Sequence, residues 1–276
     1  MLEVGKLNTL RVAKILDFGI YLDAGEAGEI LMPTKWVPEG TLVNHDVEAF
    51  VYFDSEDRLI ATTQTPKAMV GEFGYLMVKQ VNNIGAFLDW GLDKDLFVPF
   101  KEQNAKMVEG KHYLVYLYID MLSKRITATA RLEKFLDIEA AVYKEGEEVD
   151  LIIWTRSDLG YKAIINQKHI GMLFENEIFK EISTGTKLKG YIKKLRPDGK
   201  IDLFLEKPGY EKIDALSAKI LEVLGANNGF IGYNDKSPAD DIYRAFQMSK
   251  KNFKKSIGTL YKQKLILIEN NGIRKL

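Results

Sequence analysis

Apolar and polar residues alternate in short runs along most of this chain, and the period changes near its end. In the first 67 residues, Leu10 to Ile15, Gly19 to Leu22, Ile30 to Met32, Val47 to Phe53 and Leu59 to Thr62 read as five strands. They are rich in Val, Ile, Phe and Tyr, and are bounded by Gly, Asp and Pro. The pattern then repeats. Leu16 to Asp23 returns as Asn83 to Asp89, and more loosely as Asp158 to Ile164. A second glycine follows each time, at Gly40, Gly110 and Gly185. Next come a polar turn, a basic residue and a strand, as Arg58 to Thr62, Arg125 to Thr129 and Lys200 to Phe204. Five strands per unit is the count of the small barrel that binds oligonucleotides. The repeat predicts barrels over 1–67, 68–136 and 145–208, with a charged link around Gly146 before the third. Pro197-Asp198-Gly199 is a turn, because Pro fixes φ and Gly tolerates positive φ.

After Pro208 the period becomes 3.6. Ile213, Leu216, Ile220 and Leu224 share one helical face, which Gly225 and Asn227-Asn228-Gly229 terminate. Ser237-Pro238-Ala239-Asp240 predicts a second helix start, and Ser249 a third. Phe253, Ile257 and Leu260 point inward from the third helix. Leu265 to Glu269, a turn at Asn270-Asn271-Gly272 and a return strand complete a winged helix over 209–276. The predicted fold is mainly β: three tandem barrels of the oligonucleotide-binding type, then an α+β winged-helix domain.

Charge changes this picture more than composition does. The chain has no cysteine, which excludes disulfides and thiolate metal sites. The N-terminal stretch carries Glu3, Lys6, Arg11 and Lys14 instead of a signal-peptide apolar core, and the expected location is cytoplasmic. Net charge is zero, but residues 1–70 hold six Lys/Arg against eleven Asp/Glu, while 244–276 hold nine against Glu269 alone. A basic end on a neutral chain points to an anionic partner there.

Single-stranded RNA requires flat side chains for bases and cations for phosphates. Phe18, Tyr21, Phe87, Tyr161 and Phe174 are the candidate platforms. Strand alternation sets Phe18 and Tyr21 on opposite faces unless Gly19 bends the chain. In the barrels the candidate cations are Lys124, Arg125, Lys162, Lys189, Lys193, Lys194, Arg196 and Lys200. In the winged helix they are Lys250, Lys251, Lys254, Lys255, Lys262, Lys264, Arg274 and Lys275. Phosphate contacts supply most nonspecific affinity, so the third barrel and winged helix are expected to bind. The acidic first barrel suits a protein partner or the ribosome. A DNA-binding regulator is the alternative, since winged helices commonly read duplex DNA. His45, His112 and His169 fall in different units, and no glycine-rich phosphate loop or nucleophile elbow is present. No enzyme activity, metal, cofactor, small-molecule substrate or membrane partner is therefore expected.

The repeats resemble S1 domains. Phe18, Gly19 and Tyr21, with Asp54 four residues before Arg58, carry the likeness in the first unit. Gly85, Phe87, Asp120 and Lys124 carry it in the second. The third keeps Gly160 and Gly171, with Phe174 at the histidine position of the S1 pattern. Three divergent S1 domains followed by a winged helix resemble the CvfB (conserved virulence factor B) family. The resemblance implies a cytoplasmic RNA-binding protein that affects gene expression after transcription.

Overall fold

The computed structural model describes residues 2–175, 178, 181–205 and 215–276. The chain divides into two compact units, Met1–Leu203 and Phe204–Leu276. Pro208, after which the period changes, and Ile213 of the first predicted helix lie outside the described residues.

The first unit holds three closed five-stranded barrels. β1 (Leu7–Leu16), β2 (Gly19–Asp23), β3 (Glu29–Pro33), β4 (Asp46–Phe53) and β5 (Leu59–Thr62) close in the order β1-β2-β3-β5-β4. The second barrel repeats this order with β6 (Phe73–Val81), β7 (Gly85–Asp89), β8 (Leu96–Pro99), β9 (His112–Ile119) and β10 (Ile126–Thr129). The third uses β11 (Glu148–Ser157), β12 (Gly160–Ile165), β13 (His169–Phe174), β14 (Lys187–Leu195) and β15 (Ile201–Phe204). Closure comes from one parallel contact per barrel: Leu31 opposite Ile60, Phe97 opposite Thr127, and Met172 opposite Asp202.

Each first strand slips register at one point, between Val12 and Lys14, Val78 and Gln80, and Ile153 and Thr155. A bulge there bends the strand so that five strands close on themselves. Alternation fills the interiors. Val12, Leu22, Ile30, Met32, Val51 and Ala61 form the first core. The recurring glycine has a steric cause. A Cβ at Gly19, Gly85 or Gly160 would lie 2.3, 2.4 or 2.1 Å from the carbonyl oxygen of Met32, Val98 or Leu173 on the neighbouring strand. No side chain fits that approach.

The cores do not stop at barrel limits. Phe50 and Tyr52 of β4 pack with Trp90, Leu92 and Leu96 of the second barrel. Phe73, Leu114, Leu132 and Leu136 pack with Ile152 and Ile164 of the third. Tyr116 and Tyr118 stack on Phe135 at 4.1 and 5.9 Å beside that second junction. A barrel of this size buries little surface alone, and shared apolar contacts supply the deficit.

The second unit is the winged helix. It comprises α1 (Ala215–Ala226), β16 (Phe230–Ile231), α2 (Ala239–Phe246), α3 (Lys250–Lys262), β17 (Ile266–Glu269) and β18 (Gly272–Lys275). The sheet order is β16-β18-β17. Ile220, Leu224, Ile242, Phe246, Phe253, Ile257 and Leu260 form its core. Gly229, at φ 79°, closes α1 by donating to the Leu224 carbonyl at 2.7 Å. Ser249 caps α3 by accepting from the Asn252 amide at 3.2 Å. Ser237 does not cap α2. Pro238 is the N-cap there, and the Ser237 hydroxyl accepts from the Asn234 amide at 2.9 Å.

Candidate nucleic-acid interface

Strand pairing aligns the outer faces of the three barrels residue by residue. Tyr21 faces Leu31, Phe87 faces Phe97, and Lys162 faces Met172. These positions point away from the core, because their neighbours Leu22, Leu88 and Ala163 are buried. The hairpin that follows is also aligned. Asp54, Asp120 and Arg196 each donate a backbone amide to the carbonyl of Arg58, Arg125 and Lys200. One template therefore carries an acid in two barrels and an arginine in the third.

In the first barrel, Phe18 precedes β2 and is exposed, while Tyr21 is half-buried. Gly19, at φ 154°, turns the chain between them, so both rings reach the surface and meet edge-to-face at 6.3 Å. Lys14 lies 4.4 Å from the Tyr21 ring and pairs with Glu29 at 2.5 Å. Asp54 accepts from the Glu56 and Arg58 amides and from the Arg58 guanidinium, at 2.8 to 3.0 Å. Burial works against its charge, but the Arg58 backbone and side-chain bonds hold its carboxyl below the usual carboxylate range.

In the second barrel, Phe87 and Phe97 lie 5.1 Å apart in a cleft of about 580 Å³ that Lys101 and Arg125 also line. Phe97 is absent from the sequence-derived set. Its signal was the alternation of Leu96-Phe97-Val98, which sends Phe97 outward between two buried neighbours. Lys124 adopts φ 59° in the turn, and Arg125 closes that turn instead. The turn is one residue longer than in the first barrel, so Arg125 is the counterpart of Arg58.

In the third barrel, Phe174 is half-buried on the outer side of β13. Lys193 and Arg196 place cations 5.8 and 5.7 Å from its ring centre. Arg196 also forms a two-pronged pair with Asp202, at 2.9 and 2.8 Å. Lys162 is exposed and lies 5.7 Å from the Trp154 ring. Tyr161 takes the position of buried Ile20 and Ala86, on the opposite side of β12 from Lys162, and its ring lies 5.7 Å from the Arg156 guanidinium. Lys189 pairs with Asp150, and Lys200 with Asp198. Lys194 is exposed. His169 is buried in a structural role: its ring nitrogens meet the Tyr143 hydroxyl at 2.8 Å and the Glu139 carbonyl at 3.0 Å.

In the winged helix, Lys251, Lys254, Lys255 and Lys262 are exposed along one side of α3, opposite Phe253, Ile257 and Leu260. Gly258 sits among them with open space where a Cβ would be. Among the described residues no carboxylate pairs with these four lysines. Lys250 is half-buried, with its ammonium 3.5 Å from the Lys236 carbonyl. Lys264 and Lys275 are exposed, whereas Arg274 pairs with Glu269 at 2.8 Å and covers the Phe230 ring at 4.8 Å. No group of three His, Asp or Glu among the described residues is placed to hold a metal ion. No described helix is long and apolar enough to cross a membrane.

Comparison with known proteins agrees with both ends of this layout. Residues 4–64 match the S1 domain, and residues 218–274 match the CvfB-like winged helix domain. The uncharacterized protein YitL of Bacillus subtilis (strain 168) is 27% identical over 284 residues, covering 96% of this chain and 91% of that protein. Conserved virulence factor B of Staphylococcus saprophyticus is 24% identical over 247 residues, covering 84% of this chain and 80% of that protein. A crystal structure of a multidomain protein with nucleic acid binding domains from Streptococcus pneumoniae TIGR4 aligns over 99% of this chain and 98% of its own, at 24% identity and a TM-score of 0.45. With an S1 domain at one end and a CvfB-like winged helix domain at the other, the chain is similar over most of its length to proteins named conserved virulence factor B.

Proposed function

We propose that this protein binds single-stranded RNA through its third barrel and winged helix, and regulates gene expression after transcription in the cytoplasm. The observation that carries the reading is Phe174, a half-exposed ring on the outer face of a small barrel with the Lys193 and Arg196 cations 5.8 and 5.7 Å from its centre. A ring there stacks on a base only if that base is unpaired, and the cations beside it suit the phosphates of the same strand. The four lysines of α3 add sequence-independent attraction. The S1 match at residues 4–64 favours RNA over DNA.

The test is binding of the intact chain to matched single-stranded RNA, single-stranded DNA and duplex DNA at two salt concentrations. Single-stranded RNA is expected to bind most tightly, with affinity falling steeply as salt rises. Equal or tighter binding of the duplex would overturn the reading and favour a DNA-binding regulator acting through α3.

A further inference from the structure

The cleft of the second barrel is not open on all sides. Phe87 and Phe97 form its aromatic surface, and Tyr52 and Phe53 of the first barrel line it too. Arg125 lines the same cleft, where the fold places a cation beside the stacking pair. That cation is already engaged. Its Nη2 donates to the Asp57 carboxylate, on the turn between β4 and β5 of the first barrel.

The turn presents Asp57 in a fixed way. Asp57 has φ 60° and donates its amide to the Asp54 carbonyl at 3.1 Å. Asp54 in turn accepts from the Glu56 and Arg58 amides. A second cation of the second barrel anchors the base of this turn. Lys94 donates to the Phe53 and Asp54 carbonyls at 3.0 and 2.5 Å, and burial lowers the pKa of its ammonium. Two cations, 31 residues apart in sequence, thus hold one acidic turn against the mouth of the cleft.

A carboxylate on a guanidinium occupies the same N–H donors that a phosphate oxygen uses. We propose that Asp57 is a built-in competitor for RNA at the second barrel, standing where a backbone phosphate sits when a base stacks on Phe87 and Phe97. This inference rests on the single-stranded RNA reading above and adds a role for the acidic first barrel. A strand entering the cleft exchanges one anion for another at Arg125. Wild-type protein therefore gains little from that contact, and binding there requires the rest of the strand to be held elsewhere on the molecule.

The experiment is Asp57→Asn in the full chain, titrated with a single-stranded RNA oligonucleotide at several salt concentrations. Asn tolerates the left-handed backbone of this position, so the turn is expected to persist. Freed from the carboxylate, Arg125 is expected to bind RNA about two- to fivefold more tightly at low salt, the range of an exposed ion pair. It also acquires a counterion to release, so the salt slope steepens by about 0.7. Glu56→Gln removes the same charge from the same turn, but Glu56 pairs with Arg58 at 2.9 Å, not with Arg125. It is expected to leave the slope unchanged. Adding Arg125→Gln to Asp57→Asn is expected to abolish the gain. Affinity equal to or weaker than wild type in Asp57→Asn, or the same gain in Glu56→Gln, overturns the proposal while RNA binding by the wild type stands. Absence of RNA binding in the wild type overturns both readings.

Discussion

The outer face of the third barrel and the exposed side of α3 are both cationic, yet they are built on different principles. On α3, Lys251, Lys254, Lys255 and Lys262 stand along a helix with no carboxylate partner among the described residues, and the centre of the row is Gly258. In the third barrel the arginine is paired with Asp202, and it shares with Lys193 an approach to one ring, that of Phe174. Compact ammonium groups on flexible stems attract any polyanion and demand no particular geometry. A planar guanidinium held by a carboxylate beside a half-exposed ring has a fixed geometry. On the proposed RNA-binding reading, the difference separates affinity from selectivity: α3 holds the phosphate chain, and the barrel examines what that chain carries.

The largest expected effect comes from the side without geometry. Each neutralised phosphate contributes about 0.7 to the salt slope of a single strand. Replacing Lys251, Lys254, Lys255 and Lys262 with Ala is therefore expected to flatten the slope by up to roughly three units, and to weaken binding up to about several hundredfold at 0.1 M salt. All four residues are exposed and Ala favours helix, so thermal stability is expected to hold. A slope unmoved by the fourfold change would mean that α3 does not follow phosphates. Phe174→Ala is the next test. Loss of one stacked base weakens binding by about 1–3 kcal/mol, roughly five- to 150-fold, with the slope unchanged. If Phe174→Ala flattens the slope as the lysine changes do, the two faces are one electrostatic surface and the distinction fails.

Much of this was legible in the sequence, and the failures have local causes. Period-two alternation and the repeated glycine gave the barrels, and a 3.6 period with Ser249 gave α3 and its lysine side. Position on the outer faces was harder. The third repeat matches the first two loosely, and one residue of drift separates Tyr161 from Lys162, the true counterpart of Phe87. Phe97 becomes a partner of Phe87 only through the β7–β8 register. Phe18 and Tyr21 share a surface because Gly19 breaks the alternation that separates them in a regular strand. The contacts that decide charge at the sites are tertiary. Arg125 and Asp57 are 68 residues apart, and no local pattern pairs them.

The smallest expected effect on RNA tests whether the first barrel's acid is structural where the third barrel's arginine is proposed to bind. Asp54 and Arg196 occupy the same place in their hairpins. Asp54 accepts two backbone amides on Oδ1 and the Arg58 guanidinium on Oδ2, so its charge is consumed within its own turn. Asp54→Asn keeps an amide-accepting oxygen but loses the charged partner of Arg58. It is expected to cost about 1 kcal/mol at neutral pH, the scale of a hydrogen-bond contribution to stability, with RNA affinity changed less than about twofold. The pH dependence follows from the lowered carboxyl pKa. A group whose folded pKa lies below its unfolded value stabilises the fold above the unfolded value, and this contribution disappears as pH falls through the folded one. Wild type and Asp54→Asn should therefore differ in urea midpoint at pH 7 and converge in acid. A constant difference across the whole pH range would show that the carboxylate charge is irrelevant there, and an RNA affinity that drops with the midpoint would place Asp54 among the binding groups with Arg196.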